Sequence, residues 1–197
     1  AVLALAAHGR GALRTGGHEW LGGGGDSAGR AEGAVALDGV PAPSLPTLFC
    51  FSVMQAGTEE ERIMRMQLSR RCGVFGCDEA AVLSKDKVML GHAAWGPVYT
   101  WKVDMDATRQ TGSYGVGGQT TNSFLNTAEF ILVWNILVDS ERLWKFDFVV
   151  KLDPDCVFFH DRLRPKLTPY WGKPVYIANC GSKLYGSIEV FGKEAIR

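Results

Sequence analysis

Short apolar runs alternate with stretches of helical periodicity along most of this chain. Apolar runs that are rich in β-branched and aromatic residues and bounded by Pro, Gly or polar residues are typical of buried strands. They cover residues 48–54, 74–77, 81–84, 146–152, 175–178 and 187–191. The second and third are read as one strand interrupted by the polar pair Asp78 and Glu79. Because strands and helices alternate, the pattern predicts a mostly parallel sheet flanked by helices.

Two segments have the periodicity of amphipathic helices. Thr58 is followed by three glutamates, which is a capping signal, and by apolar residues at helical spacing. This helix is expected to run to Arg71 or Cys72 and to end at Gly73. A second helix is expected from Thr121 or Asn122 to about Val138. A helical turn is predicted over residues 162–167, and the start of another helix at residue 193.

The remaining segments lack clear periodicity. Residues 1–46 are rich in Gly and Ala and end in a Pro-rich stretch, so they are predicted to be a disordered or linker segment. Residues 85–120 are predicted to form a long loop with one strand near residues 98–103. The glycine-rich residues 112–118 follow no clear strand and lack a GK[ST] ending, so they are not a Walker motif. One domain is therefore expected, at residues 47–197.

Composition narrows the range of partners. The 21 basic and 21 acidic residues balance, so neither nucleic acid nor an anionic membrane surface is an expected partner. No stretch approaches the roughly 20 apolar residues that span a bilayer. The five cysteines contain no CxxC pair, and Cys50 and Cys156 lie within apolar runs. We therefore expect mostly free, packed thiols.

The motif Asp153-Pro154-Asp155 follows the strongest predicted strand. Ligands bind at the carboxyl ends of strands in open α/β sheets. Residues two apart in an extended segment project to the same side, and Pro154 favours an extended Asp153. Two adjacent carboxylates suit Mg²⁺ or Mn²⁺, with the open positions filled by diphosphate oxygens. The alternative is that the motif is simply a good turn sequence.

Residues 146–159, with Asp153-Pro154-Asp155 inside them, resemble the DxD segment of GT-A glycosyltransferases, and the fringe and β-1,3-galactosyltransferase group most closely. The resemblance extends over residues 47–197 and implies a GT-A-like α/β fold. It further implies a manganese- or magnesium-dependent hexosyltransferase that takes a UDP-sugar as donor and a glycan or protein as acceptor. The full-length protein would then work in the Golgi or endoplasmic reticulum lumen, anchored by a segment absent from this sequence.

The same resemblance suggests residues that contact the nucleotide sugar. Asp78 or Glu79 would approach the nucleotide, or they form a solvated turn. Lys151 would pair with phosphate, or it merely caps the strand. Arg162 and Arg164, which follow the motif in the sequence, would hold the diphosphate, or they form an exposed helix face. His160 is a third metal ligand or, more commonly for such a position, a surface histidine.

In the resembled family the catalytic carboxylate comes from sequence beyond the segment that corresponds to residues 186–191. The chain ends at Arg197, so we name no catalytic base and expect a fragment that binds the donor but transfers poorly. A nucleotidyltransferase on a similar fold would require a glycine-rich basic loop after the first strand, which residues 54–57 do not provide. A non-catalytic binding module is the third interpretation.

Overall fold

The computed structural model describes residues 44–105, 111–114, 119–124, 127–179, 181 and 186–197, with no side chains described over 111–127. The predicted disordered segment lies almost wholly outside the described residues, as does most of the glycine-rich stretch 112–118. The described elements are β1 (Leu48–Val53), α1 (Glu59–Arg70), β2 (Glu79–Ser84), β3 (Met89–Ala93), β4 (Gly96–Tyr99), β5 (Trp101–Lys102), β6 (Thr111–Tyr114), β7 (Gln119–Phe124), α2 (Thr127–Asp139), β8 (Phe148–Leu152), α3 (His160–Leu167), β9 (Tyr176–Ile177) and β10 (Ile188–Gly192). Short 3₁₀ turns cover Gly73–Gly76, Leu143–Lys145, Thr168–Tyr170 and Lys193–Ala195.

Six strands form one mixed sheet in the order β5-β2-β1-β8-β10-β9. β1 lies at its centre and pairs in parallel with both β2 and β8. β10 runs antiparallel to β8 and to β9. The predicted α/β class, with a mostly parallel sheet flanked by helices, is confirmed, and the two antiparallel strands β10 and β9 make the sheet mixed.

The two long helices cover opposite faces of the sheet. Met64 and Leu68 of α1 pack with Leu48, Cys50 and Val150. On the other face, Val133 and Leu137 of α2 pack with Phe49, Phe51 and Val149. Alternate residues of each central strand therefore enter different cores, which explains why apolar residues occur on both faces of these strands rather than on one.

The start of α1 confirms the capping prediction. Thr58 Oγ1 accepts a hydrogen bond from the Glu60 backbone N–H, and Glu61 accepts one from Gly57. The helix ends at Arg71 in the left-handed region, with φ 49°, rather than at the glycine. Gly73 follows with φ 58°, and an added Cβ there would meet the Gln67 side chain. Glycine is therefore required for packing as well as for backbone conformation.

Three predicted elements are corrected. Residues 74–77 are not a strand: Gly73–Gly76 form a 3₁₀ turn, and β2 begins only at Glu79. The predicted loop over residues 85–120 contains the β3–β4 hairpin and β5. The second helix begins at Thr127, because Gln119–Phe124 form a strand paired with β6. Apolar spacing indicated a helix there, but Gln119–Phe124 form a hairpin with the preceding strand β6, and strand pairing overrides helix propensity.

The cysteine prediction was wrong for one pair. Cys50 of β1 and Cys77, just before β2, form a disulfide with their Cα atoms 6.0 Å apart. Parallel pairing sets Cys50 opposite Ala80 and so brings the preceding segment within bonding distance. Cys72 and Cys156 are free thiols, and Cys180 lies outside the described residues.

At the amino edge of the sheet, Asp147 ties β8 to the start of β1. Its Oδ2 accepts hydrogen bonds from the Thr47 backbone N–H at 2.9 Å and from the Thr47 hydroxyl at 2.7 Å. Burial alone would raise the pKa of Asp147, but these bonds, one from Trp171 and the charge of Lys193 together lower it.

We expect this lowered pKa to contribute to acid unfolding. A carboxyl whose pKa is lower in the folded state stabilises the fold above its unfolded pKa, and that stabilisation is lost as pH falls through the folded pKa. Asp147→Asn should therefore be less stable than wild type near neutral pH, and the difference should shrink as pH falls below about 4. Urea titrations at several pH values measure this. A constant difference across that range would contradict it.

Candidate functional site

The Asp153-Pro154-Asp155 motif begins directly after β8, at the carboxyl edge of the sheet. Leu152 pairs with Ser52, so the motif lies beside the carboxyl end of β1. From β1 the chain passes through α1 on one face to β2, whereas α2 on the opposite face precedes β8. The strand order therefore diverges between β1 and β8. Such a switch point opens a crevice at the carboxyl ends of the strands, where α/β proteins bind ligands.

A buried glutamine on α1 holds the motif. Gln67 Nε2 donates to the Pro154 carbonyl at 2.9 Å, and Gln67 Oε1 accepts from the Val74 N–H at 3.2 Å. The Cys156 N–H closes the turn by donating to the Asp153 carbonyl at 3.0 Å. Pro154 is buried while Asp155 is exposed. The turn thus has a fixed backbone and directs Asp155 to solvent.

Gln67→Leu should destabilise the fold by about 2 kcal/mol, because it leaves the Pro154 carbonyl and the Val74 N–H buried without partners while the added apolar surface offsets part of that cost. Urea unfolding measures the loss. Gln55→Leu, at an exposed position, is the control and should change stability by less than about 0.5 kcal/mol. Equal stability of the two variants would show that the Gln67 contacts are dispensable.

Three charged side chains, Lys151, Asp153 and Glu189, form a cluster at the motif, and Lys151 also contacts Phe130 of α2. Lys151 Nζ donates to Asp153 Oδ1 at 2.6 Å and to the Gly186 carbonyl. It lies 3.8 Å from Glu189 Oε1 and 4.4 Å from the centroid of the Phe130 ring. Burial raises the pKa of Glu189, and the Asp153 charge adds to this, while Lys151 acts in the opposite direction. Only 5% of the Lys151 side chain is exposed, against 37% for Asp153.

The donor set suits a divalent cation that is shared with a ligand. Among the described residues, no hydrogen bond reaches Asp153 Oδ2 or either oxygen of Asp155. The same residues contain no group of three or more His, Cys, Asp or Glu side chains that would form a complete cage. Two carboxylates leave most positions of a hard cation open for water and phosphate oxygens, which is the coordination that Mg²⁺ favours with nucleotides.

The structure does not bring Asp78 and Glu79 to this edge. Asp78 Oδ2 accepts from the Leu48 N–H at 2.7 Å and pairs with Arg164 at 2.6 Å. Glu79 pairs with Arg142. Leu48 begins β1, so these residues lie at the amino edge, a strand length or about 15 Å from the carboxyl edge. Asp78, Glu79 and Arg164 hold the amino edge together.

Arg162 and His160 lie in the segment after the motif. Arg162 is exposed on α3 and stacks its guanidinium over Phe159 at 4.7 Å from the ring centroid. It lines an open, mostly apolar groove of about 290 Å³ between α3 and the strands β9 and β10. His160 packs against Gly76, where an added Cβ would meet its ring, and its Nδ1 lies 2.8 Å from Asp161. His160 is therefore half-buried in a structural contact, and a role in binding metal stays only a prediction.

Sequence reasoning missed two residues of this site, Gln67 and Glu189. Each interrupts an otherwise apolar pattern: Gln67 is a buried amide on the packed face of α1, and Glu189 is an acid within β10. Strand pairing places Glu189 directly opposite Lys151, so that each charge has a partner of opposite sign. A lone lysine in one predicted central strand and a lone glutamate in another was the available signal, since a buried charge needs a partner.

Trp134 of α2 packs edge-on against Phe51 and Phe191. Trp95, in contrast, is 82% exposed to solvent.

None of the helices in the described parts of the chain is long and apolar enough to cross a membrane.

Comparisons with known proteins give little beyond this geometry. No protein-family model and no curated protein matches the chain. Among solved structures, the chain is similar to one described as the crystal structure of a glycosyltransferase involved in the glycosylation of the major capsid of PBCV-1, at 12% identity and a TM-score of 0.37. The match covers 77% of this chain and 62% of that one, so this chain spans less than two thirds of its length. The fold assignment therefore rests on the strand order and packing described above.

Proposed function

We propose that this domain binds a nucleoside diphosphate sugar through a divalent cation held by Asp153 and Asp155, and transfers the sugar to an acceptor hydroxyl. The observation that carries the proposal is the position of the two carboxylates. They follow a buried central strand at the switch point of the sheet, and Asp155 is exposed to solvent. The proposed reaction follows from the resemblance of residues 146–159 to the DxD segment of GT-A glycosyltransferases.

Neighbouring residues fix the backbone and the carboxylate of the motif. Gln67 fixes the turn from α1, and Lys151 fixes one oxygen of Asp153. The two carboxylates place negatively charged oxygen atoms at the surface. Hard cations such as Mn²⁺ or Mg²⁺ prefer such oxygen ligands. When bound, such a cation neutralises the charge that develops on the departing diphosphate. Asp78 and Glu79 take no part in this proposal because they lie at the other edge.

The donor is proposed to be a UDP-sugar and the acceptor a glycan or protein hydroxyl, as the resemblance to the fringe and β-1,3-galactosyltransferase group implies. The Cys50–Cys77 disulfide supports a lumenal site of action, because disulfides persist in the oxidising secretory pathway and are rare in the cytosol. The Golgi or endoplasmic reticulum is accordingly the proposed compartment.

A non-catalytic binding module is the competing function, favoured by one observation. The Asp153–Lys151 pair and the Gln67 contact would hold the motif as a structural turn even if no metal bound. A nucleotidyltransferase has no such support, since the residues after β1, 54–57, are neither basic nor glycine-rich.

Calorimetric titration of UDP and UDP-sugars with and without Mn²⁺, on the full chain and on residues 47–197, tests the proposal. We expect binding that requires the metal and is abolished by a chelator. UDP-sugars should bind in preference to other nucleotide sugars. A folded protein that binds no nucleotide in the presence of Mn²⁺ would favour the non-catalytic module.

A further inference from the structure

Lys151 is a buried charge in an otherwise apolar central strand. Only 5% of its side chain is exposed, and its neighbours Val150 and Leu152 are core residues. An unpaired ammonium in such a place costs several kcal/mol, so the groups around it indicate what it does.

The ammonium of Lys151 is satisfied inside the protein. It donates to Asp153 Oδ1 and to the Gly186 carbonyl, and it lies over the face of Phe130. Glu189 lies beside it at 3.8 Å, held there by the direct pairing of Glu189 with Lys151 between β10 and β8. An ammonium has three donors, and these neighbours surround them. Lys151 is therefore directed at Asp153 rather than outward at a ligand.

The contact also orients the Asp153 carboxylate. With Oδ1 held from behind by Lys151, Oδ2 is the oxygen left without a hydrogen bond from the described residues. Groups that hydrogen-bond to a metal-binding side chain fix the orientation of that side chain and tune its affinity for the metal. Two carboxylates, those of Asp153 and Glu189, lie beside the Lys151 ammonium. If a cation binds Asp153, Glu189 therefore remains as an ionic partner for Lys151.

Building on the proposed function, we propose that Lys151 is a positioning residue for the cation and not a phosphate ligand. It holds Oδ1 of Asp153 and leaves Oδ2 available as a ligand, and Glu189 would keep the ammonium in place when a cation binds Asp153. Removing Lys151 would therefore loosen the ligand, even though it also removes a like charge from beside the cation.

These two consequences of removing Lys151 have opposite signs, which makes the test decisive. Mn²⁺ affinity is measured by calorimetry and by electron paramagnetic resonance of free Mn²⁺, with UDP present. If Lys151 positions Asp153, Lys151→Met should weaken Mn²⁺ binding by about 10- to 100-fold. If Lys151 contributes only its charge, the same variant should bind Mn²⁺ more tightly. Lys102→Met, the same change at an exposed position of β5 in the same sheet, is the control and should leave the affinity unchanged.

A second variant keeps the test valid if Lys151→Met does not fold. Glu189→Gln retains the lysine but leaves Asp153 as its only carboxylate partner, so Lys151 should compete better with the cation and weaken Mn²⁺ binding by about threefold or more. Unchanged or tighter binding by folded Lys151→Met overturns the positioning role, as does unchanged binding by Glu189→Gln where Lys151→Met is unfolded. A wild type that binds neither Mn²⁺ nor UDP instead rejects the proposed function, and the positioning role with it.

Discussion

Asp155→Asn should reduce the affinity for a metal–UDP complex by about 100-fold or more, because it removes the exposed anionic ligand while keeping the size of the side chain. Within the described part of the chain, the Asp155 side chain has no hydrogen bond and no ion pair. Its removal should therefore leave the melting temperature within a degree or two of wild type. Calorimetry with UDP and Mn²⁺, together with a thermal melt, measures both quantities.

The control for this variant is Asp104→Asn, which neutralises another exposed aspartate after β5. It should bind metal–UDP as wild type does, which excludes a general effect of net charge. Asp153→Asn is less informative, because it also weakens the contact with Lys151 and should lower stability as well as affinity. Wild-type affinity in Asp155→Asn would mean that the motif is only a turn.

Cys77→Ala should lower the free energy of unfolding by about 3 kcal/mol, because the disulfide closes a long loop and so restricts the unfolded chain. The two cysteines are 27 residues apart in sequence, and the bond joins β1 to the segment entering β2. Cys77 is the better residue to change, since Cys50 is fully buried and its removal would also leave a cavity. Urea unfolding under oxidising conditions measures the difference.

Two further measurements isolate the contribution of the disulfide. Reducing agent should destabilise wild type by a similar amount and leave Cys77→Ala unaffected. Cys72→Ala changes a free, half-buried thiol five residues earlier and should alter stability by less than about 1 kcal/mol. Equal stability of wild type with and without reductant would show that Cys50 and Cys77 are not bonded in solution.

Parts of the fold that depend on local pattern could be predicted from the amino-acid sequence alone. The apolar runs of β1 and β8 could only be buried strands, and the Thr58 capping signal set the start of α1, because these properties reside in neighbouring residues. The position of Asp153-Pro154-Asp155 at the end of a strand followed in the same way. Because ligand sites in α/β sheets lie at the carboxyl ends of strands, local pattern was enough to locate the candidate site.

Features that depend on residues far apart in the chain became visible only in the folded structure. Strand register placed Cys77 beside Cys50 and Glu189 opposite Lys151, which no local pattern specifies. The direction of β2 sent Asp78 and Glu79 to the amino edge, although the sequence alone allowed them near the nucleotide. Periodicity reports which face of an element is buried, whereas register and strand order depend on packing between segments far apart in the chain.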